Sequence, residues 1–232
     1  MQAGLLHTNV QQSYTHYTEI RMKHILTAFI ALLALTATGC KESDNTYDPY
    51  TNWQARNAVW FAQAADTART EIAKAKALYG SQWEGHCKWR MYKSLLRSQD
   101  LPGASDDSIV CKIMEKGRGT VCPASTDSVT LHFRGWLMPA QYETAEGGTE
   151  TYMKVFTQTY FGDFDPLIAA PQQMYVGGTV EGFQTALQYM AEGDDWMVYI
   201  PAKLAYNEKS SNAIPAYSTL LYHLYIEKVI SK

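Results

Sequence analysis

Four segments in the second half of the sequence alternate in side-chain character at every second residue. They are Ile109–Met114, Val129–Arg134, Trp196–Ile200 and Leu220–Glu227. Successive side chains of a β-strand point to opposite faces of a sheet, so a period of two residues predicts strands with one buried face. The second half of the chain is therefore expected to be rich in β-structure.

One segment between the second and third of these strands has helical spacing instead. Val180, Phe183, Leu187 and Met190 follow one another at steps of three, four and three residues, and Gly193 ends the segment. Strands on both sides of one short helix, without regular strand–helix alternation, favour an α+β fold. We therefore expect an antiparallel, curled β-sheet (a half-barrel) wrapped around a short helix.

A long amphipathic helix is expected ahead of this domain. It covers Thr51–Tyr79, and Gly80 is a suitable residue for its C-terminal end. Its apolar positions recur mostly at three- and four-residue steps and form a narrow stripe. The stripe either packs on the domain that follows or forms the seam of a homodimer. Its members are Trp53, Trp60, Ala64, Ala68, Ile72, Ala75 and Tyr79.

The segment that ends at Cys40 has the properties of a secretory signal. Arg21 and Lys23 supply positive charge, and the apolar run Ile25–Ala37 is shorter than the roughly 20 residues needed to span a bilayer. Small residues then precede Cys40, and this arrangement resembles the lipobox of bacterial lipoproteins. The resemblance implies lipidation of Cys40 and a place in the cell envelope, at the periplasmic face of the outer membrane or at the cell surface.

These features divide the chain into five parts. Met22 begins a complete signal by itself, so the residues before it are expected to be an upstream extension. The polar stretch after Cys40 is typical of a flexible tether. The expected parts are the extension (1–21), the signal peptide (22–39), the tether (40–50), a helical segment (51–106) and the main domain (107–232).

Composition and cysteine spacing exclude several functions. The chain has 20 Lys and Arg against 23 Asp and Glu, which leaves no basic surface of the kind that nucleic-acid binding requires. No CxxC spacing occurs, so no metal site is expected. Three cysteines remain after Cys40, namely Cys87, Cys111 and Cys122. At most one disulfide can form; Cys111 and Cys122 flank a glycine-rich turn and could pair, and unpaired buried thiols are the alternative.

The sequence contains no arrangement of residues that is typical of a hydrolase active site. By strand alternation, His132 and His223 are expected on outward-facing positions, and no serine or cysteine motif accompanies them. The acidic pairs around Phe164 and after Gly193 are interpreted as turn residues.

Five sequence blocks, taken in order, resemble a known family. They are VTLHFRG (129–135), VFTQT (155–159), GTVEGFQTALQYMAEGD (178–194), WMVYIPAKLAY (196–206) and IPAYSTLLYHLYI (214–226). In this order they resemble the FKBP-type peptidyl-prolyl cis-trans isomerases, over about half of the chain. Together with the lipobox and the preceding helix, they resemble the bacterial lipoprotein branch of that family.

The resemblance implies a pocket for a prolyl ring and assigns its residues. A backbone N–H at Thr179 or Val180, where the short helix begins, is expected to receive a substrate carbonyl. The positions with a catalytic role are Tyr206, Phe156 and Thr157. The substrate-binding positions are Phe133, Thr179, Val180, Phe183, Ile214 and Tyr222.

Three positions depart from the family pattern. Thr157 stands where the family has an aspartate, Phe183 where it has a tryptophan, and Asn207 where it has a glycine. A threonine hydroxyl is neutral and a weaker hydrogen-bond acceptor than a carboxylate. Reduced isomerase activity with retained binding of prolyl peptides is therefore expected.

The implied function is isomerisation of X-Pro bonds in exported proteins, without a cofactor. The implied partners are proline-containing polypeptides, a macrolide-type ligand and the membrane that holds Cys40. The alternative is a lipoprotein that binds prolyl peptides through the same pocket, as a non-catalytic module or holdase chaperone.

Overall fold

The structure of the protein is a computed structural model that describes Asp48–Lys232. The upstream extension, the signal peptide, the lipidation site Cys40 and most of the tether lie outside the described residues. The described part forms one compact unit. None of its helices combines the length and the hydropathy needed to cross a bilayer.

The described residues contain two α-helices and nine strands. Short 3₁₀ turns connect some of them. In chain order the elements are α1 Trp53–Tyr79, β1 Trp89–Lys93, β2 Ser108–Glu115, β3 Ser128–Leu137, β4 Ala140–Glu143, β5 Thr149–Tyr152, β6 Val155–Gln158, β7 Gln172–Tyr175, α2 Glu181–Tyr189, β8 Asp195–Ile200 and β9 Leu220–Ile230.

In this part of the chain, seven strands form one antiparallel sheet, and six of them follow the order β1-β2-β8-β9-β3-β6. β7 pairs with the first half of β3, and β6 pairs with its second half. β4 and β5 form a separate hairpin. The predicted α+β class, with an antiparallel sheet and a short helix, is confirmed.

Helix α2 lies very close to the inner face of the sheet. A Cβ atom at Gly182 would lie 2.3 Å from Cγ2 of Ile200 and 3.2 Å from Cγ2 of Ile109. Only glycine fits at this distance, and this residue sets how closely the helix approaches the strands. Phe183, Leu187 and Met190 are buried, as their helical spacing predicts.

Helix α1 packs on the opposite face of the same sheet. Phe61, Ala65 and Ala68 are buried against Val110, with Tyr199 beside them. This contact with the sheet agrees with the first of the two predicted arrangements, whereas the homodimer stays a prediction. Three members of the predicted stripe are buried, namely Trp53, Ala68 and Ala75.

Part of the predicted stripe is displaced by one residue. Phe61 is buried where Trp60 was expected, and Ala65 is buried where Ala64 was expected. Each of these positions is one of two adjacent apolar residues, so spacing alone does not select between them. Tyr79, the last predicted member, is exposed.

The first turns of α1 are hydrogen-bonded to the segment that leads into β9. The indole Nε1 of Trp53 donates to Oγ of Ser218 at 2.9 Å, and the N–H of Thr219 donates to Oδ1 of Asn57 at 2.8 Å. Both bonds are buried. They fix α1 to the domain by specific polar contacts as well as by apolar packing.

One strand falls inside the segment for which only helix was predicted. β1 pairs with β2 along its whole length. On the inner face of the sheet, the ring of Tyr92 stacks on Tyr189 of α2, with centroids 3.9 Å apart. Aromatic and charged residues are mixed here without a regular two-residue period, so the sequence does not predict a strand.

All three cysteines of the described residues are free. Cys87 and Cys111 are buried, whereas Cys122 is exposed. The Cys111–Cys122 disulfide, left open by the sequence, is therefore not formed in this structure. Burial raises the pKa of the Cys111 thiol far above its ordinary value, so this side chain acts as a small apolar group.

His132 and His223 lie on the outer face of the sheet, as strand alternation predicts, but both are buried, because the loop between β6 and β7 covers them. Phe164 of this loop lies over the two imidazoles, with centroid distances of 5.4 and 5.0 Å. The hydroxyl of Tyr160 is hydrogen-bonded to Nδ1 of His223, and Nε2 of His223 lies 2.7 Å from Oδ1 of Asp195. Strand alternation identifies a face of the sheet but not what covers it.

His132 makes the stability of the fold depend on pH. Burial lowers the pKa of its imidazole, and the Glu227 carboxylate, 3.4 Å from Nε2, only partly opposes this effect. Below about pH 6.5 the unfolded chain takes up a proton at His132 before the folded protein does. The free energy of unfolding should therefore decrease as the pH falls through this range.

We expect the His132→Gln variant to show a shallower decrease of this free energy than the wild type, because the titrating group is gone. Urea unfolding at pH steps between about 8 and about 5 measures the slope. The exposed His86, changed to glutamine, is the matched control. Equal slopes in the wild type and His132→Gln would contradict the interpretation.

Candidate functional site

A cavity of about 620 Å³ opens on the inner side of the sheet, where α2 begins. All nine residues predicted for the prolyl pocket line this cavity. They are Phe133, Phe156, Thr157, Thr179, Val180, Phe183, Tyr206, Ile214 and Tyr222. Their roles in catalysis and binding stay predictions, whereas their convergence is an observed property of the structure.

Each wall of the cavity comes from a different element. β3 supplies Phe133, β6 supplies Phe156, and β9 supplies Tyr222. The start of α2 supplies Phe183, and the connection between β8 and β9 supplies the remaining side, including Ile214. Long-range pairing of the strands is thus required before the cavity exists.

Four aromatic rings form a continuous edge-to-face series. The ring centroids of Phe183 and Tyr222 are 4.9 Å apart, those of Phe156 and Tyr222 are 5.4 Å apart, and those of Phe133 and Phe183 are 6.4 Å apart. Their interplanar angles lie between 81° and 90°. Such contacts restrict ring rotation and give the cavity an apolar wall of fixed shape.

Gly135 makes room for two of these rings. A Cβ atom at this position would lie 2.7 Å from Cζ of Phe156 and 2.8 Å from Cε1 of Tyr222. The two rings therefore pass directly over the backbone of β3. The sequence block VTLHFRG contains this glycine, but its steric role becomes visible only in the structure.

The polar side chains of the cavity are uncharged. None of its lining residues is Asp, Glu, Lys, Arg or His. Burial raises the pKa of Tyr222 well above its ordinary value, and the nearby Tyr206 adds to this effect. The cavity therefore carries no formal charge near neutral pH.

The side-chain hydroxyls of Thr157 and Tyr206, two residues that line the cavity, have no hydrogen-bond partner among the described residues. Thr179 differs, because its hydroxyl donates to the carbonyl oxygen of Val176 at 2.9 Å. The hydroxyls of Thr157 and Tyr206 are therefore available to contact a bound peptide.

Helix α2 begins at the cavity without a side-chain cap. Val180 is its N-cap residue, in an extended conformation, and its side chain has no acceptor atom. The first N–H groups of a helix need partners from outside the helix, and they carry partial positive charge. A peptide carbonyl bound in the cavity can supply that partner.

The connection between β8 and β9 adopts a defined shape. Ile214 and Ser211 exchange two backbone hydrogen bonds of 2.9 Å, and the N–H of Tyr217 donates to the carbonyl oxygen of Asn207. Asn207 has φ 51°, in the left-handed region that asparagine tolerates better than most residues. This accounts for asparagine at a position where the family pattern has glycine.

Six lining residues were not predicted from the sequence. Met174 lies on a strand of four residues between polar neighbours, so no apolar alternation marked it. Most of the others lie in turns and loops, where the sequence does not show which way a side chain points. The six are Gln172, Met174, Gly178, Ser211, Asn212 and Ala213.

No metal centre accompanies the cavity. Within Asp48–Lys232, no three His, Cys, Asp or Glu side chains converge on one point.

The site is thus an uncharged cavity with an aromatic wall at the start of a short helix, under a curled antiparallel sheet, and its shape and lining suit an apolar peptide segment. Residues 119–227 match the family model described as FKBP-type peptidyl-prolyl cis-trans isomerase. Residues 119–227 thus form a domain of the FKBP-type family.

Two curated relatives each match about half of the chain. The FKBP-type 22 kDa peptidyl-prolyl cis-trans isomerase of Escherichia coli (strain K12) is 28% identical over 130 residues, which are 55% of this chain and 52% of that protein. FK506-binding protein 1 of Aspergillus oryzae is 27% identical over 118 residues, which are 51% of this chain and 95% of that protein. The chain thus spans about half the length of the first relative.

Two solved structures align with a larger share of the chain. A peptidyl-prolyl cis-trans isomerase from Pseudomonas syringae pv. tomato aligns with 73% of this chain and 96% of its own, at 20% identity and a TM-score of 0.42. FkpA from Escherichia coli aligns with 100% of this chain and 98% of its own, at 19% identity and a TM-score of 0.43.

The steric role of Gly135 can be tested by adding one methyl group. The Gly135→Ala variant should bind a prolyl peptide at least about tenfold more weakly, because the rings of Phe156 and Tyr222 must move. Titration calorimetry measures the affinity, and Gly148→Ala is the matched control, since its Cβ would meet only Oγ1 of Thr144, at 3.4 Å. Unchanged affinity in Gly135→Ala would contradict the proposed position of the rings at the binding surface.

Proposed function

We propose that this chain is a peptidyl-prolyl cis-trans isomerase and that the aromatic cavity is its active site. The observation that carries the proposal is the convergence of Phe156, Tyr206 and Tyr222 on one uncharged cavity at the start of α2. The family match of residues 119–227 supports it independently.

The lining residues suit the chemistry of this reaction. Rotation about an X-Pro bond faces a barrier of about 18–20 kcal/mol, because twisting removes the amide resonance. The twisted amide separates less charge than the planar amide, so transfer from water into an apolar cavity favours the twisted form. No nucleophile and no acid–base pair is required, which agrees with a lining that has neither.

Polar groups at the cavity can hold the peptide while one bond rotates. The hydroxyl of Tyr206 and the N–H of Val180 can each donate a hydrogen bond to a carbonyl group that flanks the proline. Hydrogen bonds to the flanking carbonyl groups hold the peptide in the site and confine the motion to the X-Pro bond, while the prolyl ring lies against Phe156, Phe183 and Tyr222.

Thr157 is the reason to propose reduced activity. Its hydroxyl is neutral, and in the described part of the chain this hydroxyl makes no hydrogen bond with that of Tyr206. A carboxylate at this position would be a charged acceptor for Tyr206 and for the distorted amide. Its absence leaves the apolar part of the binding site intact and weakens the electrostatic part.

We expect the Thr157→Asp variant to isomerise a prolyl peptide at least about tenfold faster than the wild type. Exchange NMR on a short peptide of the type Ala-Leu-Pro-Phe measures the rate without a coupling protease. Thr157→Asn is the matched control, since it supplies a similar shape without charge. A wild-type rate that already equals the Thr157→Asp rate would contradict the proposed weakening.

The same residue supports a second candidate function. If the wild type and Thr157→Asp both bind the peptide and neither accelerates its exchange, the chain is a prolyl-peptide-binding module or holdase chaperone. The cavity is then a binding site only, with the same lining residues.

The proposal extends to the setting of the protein. The lipobox supports cleavage before Cys40, lipidation of that cysteine and a place in the cell envelope, where proline-containing exported proteins would be the clients. The aromatic cavity is also a suitable site for a macrolide-type ligand.

A further inference from the structure

The N-terminus of α2 is held by residues that lie outside the family match. Glu181 is the first residue of the helix, and its Oε1 accepts hydrogen bonds from Nε of Arg97 and from Oγ of Ser94, both at 2.7 Å. Its Oε2 accepts from Nη2 of Arg97 at 3.0 Å. Positions 94 and 97 precede the matched residues 119–227 by more than twenty residues.

The segment that carries Ser94 and Arg97 is itself held in place by hydrogen bonds. Ser94 is fully buried, its N–H donates to the carbonyl oxygen of Asp107 at 2.8 Å, and its carbonyl oxygen accepts from Nε2 of Gln99 at 2.8 Å. The guanidinium of Arg97 therefore projects from an ordered turn. At the other end of α2, Tyr92 of the same segment stacks on Tyr189.

The ion pair between Glu181 and Arg97 is electrostatically favoured by its position at the N-terminus of α2. A carboxylate in the first turn of a helix is stabilised by the partial positive charge of the helix N-terminus. Arg97 binds both oxygens of that carboxylate, which fixes the direction of the side chain as well as its distance. The pair lies next to the cavity, because Val180 precedes Glu181 directly and Phe183 follows two residues later.

We propose that Arg97 is a positioning residue of the isomerase site: through Glu181 it fixes the start of α2, and thereby the Val180 N–H and the Phe183 ring. The inference rests on the proposed function. The segment before the family domain thus contributes to the geometry of the site.

The expected kinetic effect of changing Arg97 follows from the role of the Val180 N–H at the start of α2. The Val180 N–H binds a flanking carbonyl in the ground state and in the twisted state alike, so its displacement weakens both complexes. The Arg97→Gln variant should raise KM for a prolyl peptide by about three- to tenfold and leave kcat within about twofold. Arg97→Lys, which keeps the charge and one hydrogen bond, should restore part of the loss.

Two further variants make the test specific. Lys74→Gln is the control, because it removes an exposed Lys–Glu pair that lies wholly within α1. Glu181→Gln should raise KM as well, and the double variant with Arg97→Gln should show less than the product of the two single effects. Melting temperatures of all variants show whether they are folded.

The outcomes separate this inference from the proposed function. A wild type without isomerase activity overturns the proposed function. An active wild type together with an unchanged KM in Arg97→Gln overturns the positioning role, as does a fall in melting temperature with unchanged KM. If Arg97→Gln does not fold, Arg97→Lys decides: an intermediate KM supports the role, and a wild-type KM overturns it.

Discussion

The contact between α2 and the inner face of the sheet is the packing interaction on which the candidate site depends. Gly182 has no room for a Cβ atom between the helix and Ile200, so the helix approaches the strands as closely as a polypeptide backbone allows. Phe183, the next residue, then meets Phe133 of β3 and Tyr222 of β9 edge to face. A helix held further away would separate these rings and so break the apolar wall of the cavity.

The two faces of the sheet contribute in different ways. The inner face carries α2 and the cavity, while α1 and the loop between β6 and β7 cover the outer face. The segment before the family domain joins both sides, since Phe61 packs on the outer face and Arg97 reaches Glu181 at the start of α2. The described part of the chain is therefore better understood as one unit than as a domain with an appendage.

Much of this arrangement could be predicted from the sequence. Strand alternation and the helical spacing around Phe183 identified the fold class, and the ordered blocks identified residues that line the cavity. What failed depends on contacts between distant segments. The burial of His132 requires knowledge that Phe164 covers it, and the lining role of Met174 follows from the pairing of β7 with β3. Local pattern carries no information on either contact.

The account rests on the claim that proline binds in the cavity at the start of α2. Isotope-filtered NOE measurements on a complex with a proline-containing peptide test this claim most directly. The account predicts NOEs from the prolyl ring protons to the ring protons of Phe156, Phe183 and Tyr222. Prolyl NOEs to the second cavity, of about 510 Å³, which is lined by Phe61 and Tyr217 among others, with none to these three rings, would contradict it.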